Sequence, residues 1–336
     1  MSERPLLVKL SSLGDVAHTL VALDDLAARD LRVDWVVEEA FVELARGHPA
    51  VDRVWSIALR RWRTEGLTGL RELRRFAVRL RAARYERAID AQGLLKSAFV
   101  ARLTGARRRD GLDRRSAREG IAAWGYTHRH AIPRGHAVDR LRLLFGAALG
   151  YRPTLEAAVG VARADRANDG DAVLLHGTAW ASKLYPEALW IALARELLTA
   201  DRRVTILSGT ADEYARARRI AAQAAGAQAL APEPLGSAMA RVRSAGVVVG
   251  VDTGLTHIAA AAGVPTVGLY GPTSAELTGL RGARAVTLQS DLDCAPCLQR
   301  GCTHPAFADD RAAGPPCFAR LDSERILAAV TTATCA

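Results

Sequence analysis

Short apolar, β-branched runs alternate with stretches of helical periodicity from one end of the chain to the other, and no other feature restricts the fold as much. In the first half the strand candidates are PLLVKL (residues 5–10), VDWVVEE (33–39), VDRVWSIAL (51–59) and RAIDAQ (87–92). Between them HTLVALDDLAAR and GLRELRRFAVRLRAAR repeat apolar residues at intervals of three and four. The second half does the same, with AVLLHG, RVTILSG, GVVVGVD and TVGLYG alternating with EALWIALARELL and HIAAAAG. Strand, helix, strand repeated in this way predicts an α/β protein whose parallel sheets are covered on both faces. A chain of 336 residues exceeds one typical core, so two Rossmann-like, doubly wound domains are expected. Periodicity lapses near 151–170, which places the domains at 1–160 and 161–336. Open parallel sheets bind ligands beyond the carboxyl ends of their strands, so two of them facing across a cleft would line it with post-strand loops.

Charge is unevenly divided between these halves. Residues 1–150 hold 28 Lys and Arg against 18 Asp and Glu, whereas the rest hold 18 against 18. The first half is therefore expected to meet an anionic partner, be it nucleic acid, an acidic lipid surface or a phosphorylated substrate. Among the 46 basic residues only Lys9, Lys96 and Lys183 are lysines, and each is a candidate for a site that needs a compact ammonium rather than a planar fork. No window approaches 18 uninterrupted apolar residues and no apolar stretch follows a basic start, so a cytoplasmic protein without a signal peptide or spanning helix is expected.

The motifs lie directly after the strands. In GVVVGVDTGLTHIAAAAGVPTVGLYGPT (246–273) a buried strand ends at Asp252, and Thr253 and Gly254 turn into a helix of small residues bearing His257. Free N–H groups at such a helix start suit a diphosphate, although Asp252 and Thr253 could equally serve as caps. LLHGTAWASKLYPEALW (174–190) ends a strand at Thr178 and offers Lys183 as a point charge for a departing diphosphate, or as a solvated loop lysine. LSGTADEYARA (207–217) supplies Glu213, a partner for ribose hydroxyls or a first-turn acid. KLSSLGDVAHTL places Asp15 near a helix start behind a turn at Gly14, where a carboxylate either stabilises the helix end or takes a proton from an attacking hydroxyl. ALRRWR, DAQGLLKSA, GLDRRSARE and HAVDRLR add arginines suited to capturing carboxylates or phosphates. Cys294, Cys297, Cys302 and Cys317 form a segment (294–317) whose CxxC start reads as a structural zinc or iron site, against free thiols.

In this order the segments VKLSSLGDVAHTL, DWVVEE, RRWR, DAQGLLKSA, ARE, HAV, KLYPEALW and VDTGLTHIAAAAGVPTVGLYGPT resemble glycosyltransferase family 9, the bacterial lipopolysaccharide heptosyltransferases. The resemblance implies the glycosyltransferase B architecture, with an N-terminal acceptor-binding domain and a C-terminal ADP-heptose-binding domain. It implies inverting transfer of heptose from ADP-L-glycero-D-manno-heptose to the Kdo region of lipid A, with no cofactor required for catalysis. By motif, Asp15 is similar to the family's general base. Thr178, Lys183, Glu213, Asp252, Thr253, Gly254 and His257 match its donor site, and Arg60, Arg63 and Arg118 its acceptor-binding arginines. Such an enzyme would touch the cytoplasmic face of the inner membrane transiently. Two readings stand beside this one: a family 9 enzyme with a protein or other acceptor, suggested by the cysteine segment, and a nucleotide- or nucleic-acid-binding module. Aromatic residues are only 5% of the chain, leaving few candidates for base stacking, so no nucleic acid is expected as partner.

Overall fold

The computed structural model describes residues 4–155, 168–309 and 314–335. The chain separates into two compact units, Met1–Ala157 and Ala158–Ala336. The domain limit expected between residues 160 and 161 lies outside the described residues.

The first unit runs β1 (Leu6–Val8), α1 (Leu13–Ala27), β2 (Val33–Glu38), α2 (Val42–Arg46), β3 (Val51–Ile57), α3 (Leu59–Trp62), α4 (Leu67–Ala82), β4 (Arg87–Asp90), α5 (Leu95–Leu103), β5 (Arg108–Leu112), β6 (His128–His130) and α6 (Ala137–Leu149). Its six strands are all parallel, in the order β3-β2-β1-β4-β5-β6. From β1 to β3 the chain winds one way, and from β3 through α4 to β6 it winds back. The second set of crossovers therefore covers the opposite face of the sheet. Accordingly α1 packs against α6 on one face, while α4, α5 and a 3-10 turn at Gly120–Gly125 adjoin one another on the other. Leu6 and Val8 of the central strand and Leu10 just past its end meet Phe76 and Leu80 of α4 and Val100 of α5 in a single buried cluster.

The second unit repeats the plan with β7 (Asn168–Leu175), α7 (Glu187–Thr199), β8 (Arg203–Leu207), α8 (Ala211–Gln223), β9 (Gln228–Ala229), α9 (Leu235–Ser244), β10 (Ala245–Val251), α10 (Gly254–Ala261), β11 (Thr266–Tyr270), α11 (Ala275–Thr278), β12 (Ala285–Gln289), α12 (Pro305–Asp309) and α13 (Ser323–Cys335). Its sheet order is β12-β11-β10-β7-β8-β9, again parallel throughout. In both sheets the winding reverses at the centre, between β1 and β4 in the first and between β7 and β10 in the second. Strand ends diverge at such a reversal, and the crevice left there is where doubly wound sheets hold ligands.

Four strands, β5, β6, β9 and β12, are not evident from the sequence pattern. β5 carries Arg108 and Arg109 ahead of Asp110, and β6 reads His-Arg-His. The charge that hides the pattern is neutralised in place: Asp110, fully buried, lies 3.0 Å from Arg108 and 2.8 Å from His130. β9 is two residues long and β12 is only partly buried along its whole length, as edge strands are.

Candidate active site

The reversal point of the first sheet is built around a carboxylate. α1 takes Ser12 as its N-cap, and Gly14 lies inside the first helical turn, correcting the expectation that it forms the turn before the helix. Asp15 follows it, and its Oδ2 accepts hydrogen bonds from the Ser12 N–H at 3.1 Å and the Ser12 hydroxyl at 3.2 Å. The carboxylate thus satisfies a free amide of the helix start, as an end-capping acid would. It does more than cap. Lys9 Nζ lies 3.2 Å from Asp15 Oδ1, and Arg118 Nη1 lies 3.2 Å from Oδ2. Burial alone would raise the Asp15 pKa, but Lys9, then Arg118, the Ser12 amide and His18 outweigh it and hold the carboxyl well below the usual carboxylate range.

The neighbouring strand end fixes this cluster. Asp90, at the end of β4 and fully buried, accepts from the N–H groups of Gln92 and Gly93 and from the Tyr126 hydroxyl at 2.7 Å. Gln92 Oε1 accepts from the Leu10 N–H at 2.8 Å, tying the loop after β4 to the loop after β1. Gly93 takes φ of 69°, a left-handed conformation that favours glycine. Lys96 then reaches back to donate to the Ser11 hydroxyl at 3.1 Å. DAQGLLKSA therefore works mainly as wiring beneath the Asp15 loop.

Beyond Lys96 a groove of about 690 Å³ opens, lined by Arg60 and Arg63 with Glu38, Trp62, Leu70 and Phe99. Arg60 and Arg63 are exposed, so their charges are available to a ligand. Burial pushes the Glu38 carboxyl up, against the pull of Arg60 and Lys96. Three cationic residues absent from the sequence-based site belong here. Lys9 is one, beside Asp15; Arg140 and Arg134 are the others, outside the groove's wall, where burial first and the charges of Arg118 and Arg134 second lower the Arg140 pKa. Lys9 is signalled by the rarity of lysine and Arg140 by the HAVDRLR motif, whereas Arg134 carries no signal.

At the reversal point of the second sheet the sequence-predicted residues converge. Lys183 Nζ, in the 3-10 turn Ala181–Lys183, donates to Asp252 Oδ2 at 2.8 Å and to its carbonyl at 3.2 Å. Asp252 Oδ1 lies 2.9 Å from His257 Nε2, one turn into α10. Burial would raise the Asp252 pKa, but the hydrogen bond and charge of His257, followed by Lys183, hold it well below the carboxylate range. Thr253 is the N-cap residue of α10 but makes no side-chain capping hydrogen bond, and Asp252 is engaged with Lys183 and His257. Neither is used up in capping. The N–H groups of the first turn, starting at Gly254, remain directed outward from the helix end, where the helix dipole favours an anion.

Thr178 and Glu213 sit beside this cluster. The Thr178 hydroxyl accepts from the Trp180 N–H at 3.4 Å, and the Trp180 ring lies 4.6 Å from Lys183 Nζ. Glu213, in the first turn of α8, accepts from the Gly209 N–H at 2.7 Å. Its carboxylate covers Gly177 so closely that a Cβ there would come within 2.5 Å of the Glu213 Cδ. His176, just before Gly177, is fully buried, and burial with the Arg216 charge lowers its pKa to about 4. The structure thus gathers Thr178, Lys183, Glu213, Asp252, Thr253, Gly254 and His257 at one sheet's carboxyl edge. It likewise brings Arg118 onto Asp15, and places Arg60 and Arg63 beyond Lys96. All three lysines stand at these two places.

The cysteines do not assemble as expected. Cys294, Cys297, Cys302 and Cys317 line one cavity of about 140 Å³, and all are free thiols. Among the described residues no group of three or more His, Cys, Asp or Glu side chains is arranged to hold a metal ion, so the expected zinc or iron ligand set finds no support. Cys294 and Cys297 are exposed while Cys317 is buried, and burial, with the neighbouring Cys302, Cys294 and Cys297, pushes the Cys317 thiol up to about 12. The segment also props the lysine turn, since the Ser182 hydroxyl donates to the Gln299 carbonyl at 2.6 Å. No helix among the described residues is long and apolar enough to cross a membrane.

Residues 73–307 match the family model of glycosyltransferase family 9 (heptosyltransferase). The chain is 44% identical to lipopolysaccharide heptosyltransferase 1 of Pseudomonas aeruginosa, over 96% of each chain. It is 38% identical to lipopolysaccharide heptosyltransferase 1 of Escherichia coli K12, over 82% of this chain and 90% of that one. Its fold matches the structure of E. coli heptosyltransferase WaaC with ADP at a TM-score of 0.82 and 32% identity, covering 98% of this chain and 99% of that one.

Proposed function

The chain belongs to glycosyltransferase family 9, and from that premise we propose that it transfers heptose from ADP-L-glycero-D-manno-heptose to the Kdo region of lipid A, in assembly of the lipopolysaccharide inner core. It is a heptosyltransferase of glycosyltransferase B type, built from two parallel-sheet α/β units. The observation that carries the donor half of the reading is the Lys183–Asp252–His257 cluster beside the open helix start at Thr253 and Gly254. A fixed ammonium and outward N–H groups suit a diphosphate, and Lys183 can take up the negative charge that grows on ADP as it leaves. Glu213, near Gly177 and Thr178, is placed to accept hydrogen bonds from ribose hydroxyls.

The acceptor half rests on cations. Arg60, Arg63 and Arg118, joined by Arg134 and Arg140, suit a substrate bearing carboxylates and phosphates. Asp15 is the general base. Its carboxylate takes the proton of the attacking hydroxyl while the hydroxyl oxygen bonds to the anomeric carbon and the bond from that carbon to the ADP oxygen breaks. One displacement inverts the anomeric centre, and one base suffices. In the free protein Asp15 is a weak base, because Lys9 and Arg118 stabilise its charge. Arg118 is 60% exposed, however, and free to swing onto an anionic acceptor, which would leave Asp15 more basic at the moment its hydroxyl partner arrives.

The decisive experiment incubates the purified protein with ADP-heptose and Kdo-lipid A and follows ADP release and product mass. ADP release with a product heavier by one heptose is expected. ADP release with free heptose and no heavier glycolipid would mean transfer to water and would remove Kdo-lipid A as the acceptor, and no ADP release with any acceptor supplied would overturn the donor reading.

A further inference from the structure

The first unit is asymmetric in a way its active-site chemistry does not use. Among the described residues nine large apolar side chains stand exposed, and seven of them lie on one layer: α4, α5 and the adjoining 3-10 turn. On α4 they are Leu67, Leu70 and Val78, with Leu67 77% exposed. On α5 they are Leu95 and Phe99, and on the 3-10 turn Ile121 and Trp124, the tryptophan 70% exposed.

Helical spacing arranges them. Positions 67, 70, 71, 74, 78 and 81 fall on one stripe of α4, opposite the buried Gly69, Phe76 and Leu80, and they read Leu, Leu, Arg, Arg, Val, Arg. α5 repeats the motif with Leu95, Phe99 and Arg102 at intervals of four and three, opposite its buried Ser97 and Val100. Together α4 and α5 hold six arginines and one lysine against the single acid Glu72. Apolar side chains interleaved with long cationic ones suit an interface where hydrocarbon lies below and anionic headgroups lie alongside.

We propose that this layer is the face by which the protein lies on an anionic phospholipid bilayer. The inference rests on the acceptor reading above and adds to it the surface that brings the enzyme to its glycolipid. Charge complementarity favours a lipid surface over a second copy of the chain, since pairing this layer with itself would oppose arginine to arginine. The layer is also continuous with the acceptor groove, because Leu70 of α4 and Lys96 and Phe99 of α5 form part of the groove's wall together with Arg60 and Arg63.

The test uses the full chain without donor or acceptor. Flotation with vesicles of phosphatidylcholine containing phosphatidylglycerol should recover the protein, with recovery falling as salt rises, and vesicles of phosphatidylcholine alone should recover little. The variant Leu67→Ser/Val78→Ser/Trp124→Ser removes only exposed groups outside the groove. It should keep its melting temperature and its turnover on a water-soluble, acyl-free acceptor, yet bind anionic vesicles about tenfold more weakly. Undiminished vesicle binding by this variant, or equal binding to neutral vesicles, would overturn the proposal. So would a concentration-dependent dimer in sedimentation that the variant abolishes, which would assign the face to self-contact. Vesicle binding is read without catalysis, so failure of the acceptor reading would appear separately, as missing product in the transfer assay.

Discussion

Lys9 Nζ and Asp15 Oδ1 are 3.2 Å apart, with the lysine only 7% exposed at the end of the first strand and the aspartate in the first turn of the helix that follows. The pair joins the last turn of extended chain to the first turn of helix across the loop where the proposed base stands. An ammonium so placed keeps the carboxylate ionised and aimed, at the cost of basicity, which the proposed departure of Arg118 on acceptor binding would restore.

Asp15→Ala is expected to lower kcat by about a thousandfold, the range of a missing general base, while ADP-heptose binding stays within twofold, or about 0.4 kcal/mol. Initial rates of ADP release and calorimetric titration of the donor measure the two quantities. A variant that retains more than a tenth of the wild-type rate would remove Asp15 from the base role.

Lys9→Met separates positioning from bulk. In the wild type Asp15 is ionised far below neutral pH, so no acid limb from this group should appear in kcat/KM between pH 5 and 8, as the depressed pKa requires. Without Lys9, burial is opposed only by Arg118, the Ser12 amide and His18, and the Asp15 pKa must rise. Titration of the Asp15 carboxyl by NMR in the two proteins, with a melting curve to confirm folding, checks this; an unshifted carboxyl pKa would mean that Lys9 does not govern the base.

How far the site is legible in the sequence depends on whether its residues come from one segment. The Asp252, Thr253, Gly254 and His257 cluster is local: the acid just past the end of β10 and the histidine in the first turns of α10 are five residues apart, so the motif carries its own geometry. Lys183 joins it from 69 residues away and is still evident, because a lone lysine among arginines is conspicuous. Arg140 is evident only through its HAVDRLR motif and Arg134 not at all, since the return of the chain through β6 into α6 is what sets Arg140 between the charges of Arg118 and Arg134. Gly14 misleads for a local reason. Glycine reads as a turn, but here Ser12 already supplies the cap and the helix starts one residue earlier than the glycine. The missing strands β5 and β6 have a tertiary cause, in that Asp110 is acceptable in a buried strand only with Arg108 and His130 at its side.

Lys183→Ala is expected to slow transfer about a hundredfold to a thousandfold, as loss of one fixed charge at a developing anion does. Added magnesium should not restore the rate, and prolonged treatment of the wild type with a chelator should leave its rate unchanged. Rates with and without chelator, and rates of the variant across a magnesium series, decide this. Strong loss of wild-type activity on chelation would place a metal in the reaction after all.

His176 predicts how the second unit responds to acid. Buried beside Arg216, whose Nη1 lies 3.3 Å from its Nδ1, it has a pKa depressed from 6.5 to about 4. The unfolded chain therefore takes up the proton first. Stability from this group is complete above pH 6.5 and is lost as pH falls from 6.5 toward 4, by about 3 kcal/mol over the whole interval. His176→Asn carries no titrating group, so its melting temperature should fall less steeply between pH 7 and 5 than that of the wild type. Parallel slopes for the two proteins would show that His176 is not held neutral by its surroundings.

The contact between Gly177 and Glu213 gives the most selective test of the donor site. A Cβ at position 177 would stand 2.5 Å from the Glu213 Cδ and 2.6 Å from each of its carboxylate oxygens, closer than any real side-chain contact, so Gly177→Ala must displace the carboxylate. The backbone can accept alanine here, since Gly177 is not among the glycines with positive φ. If Glu213 binds the donor ribose, Gly177→Ala should raise the KM for ADP-heptose about tenfold, the worth of one or two hydrogen bonds, with kcat within threefold of wild type. Glu213→Gln, which keeps the shape and alters the charge, should raise KM by a similar or smaller factor. A Gly177→Ala enzyme with unchanged KM for the donor would show that the displaced carboxylate has no part in holding the nucleotide, because the substitution moves little else at the strand end.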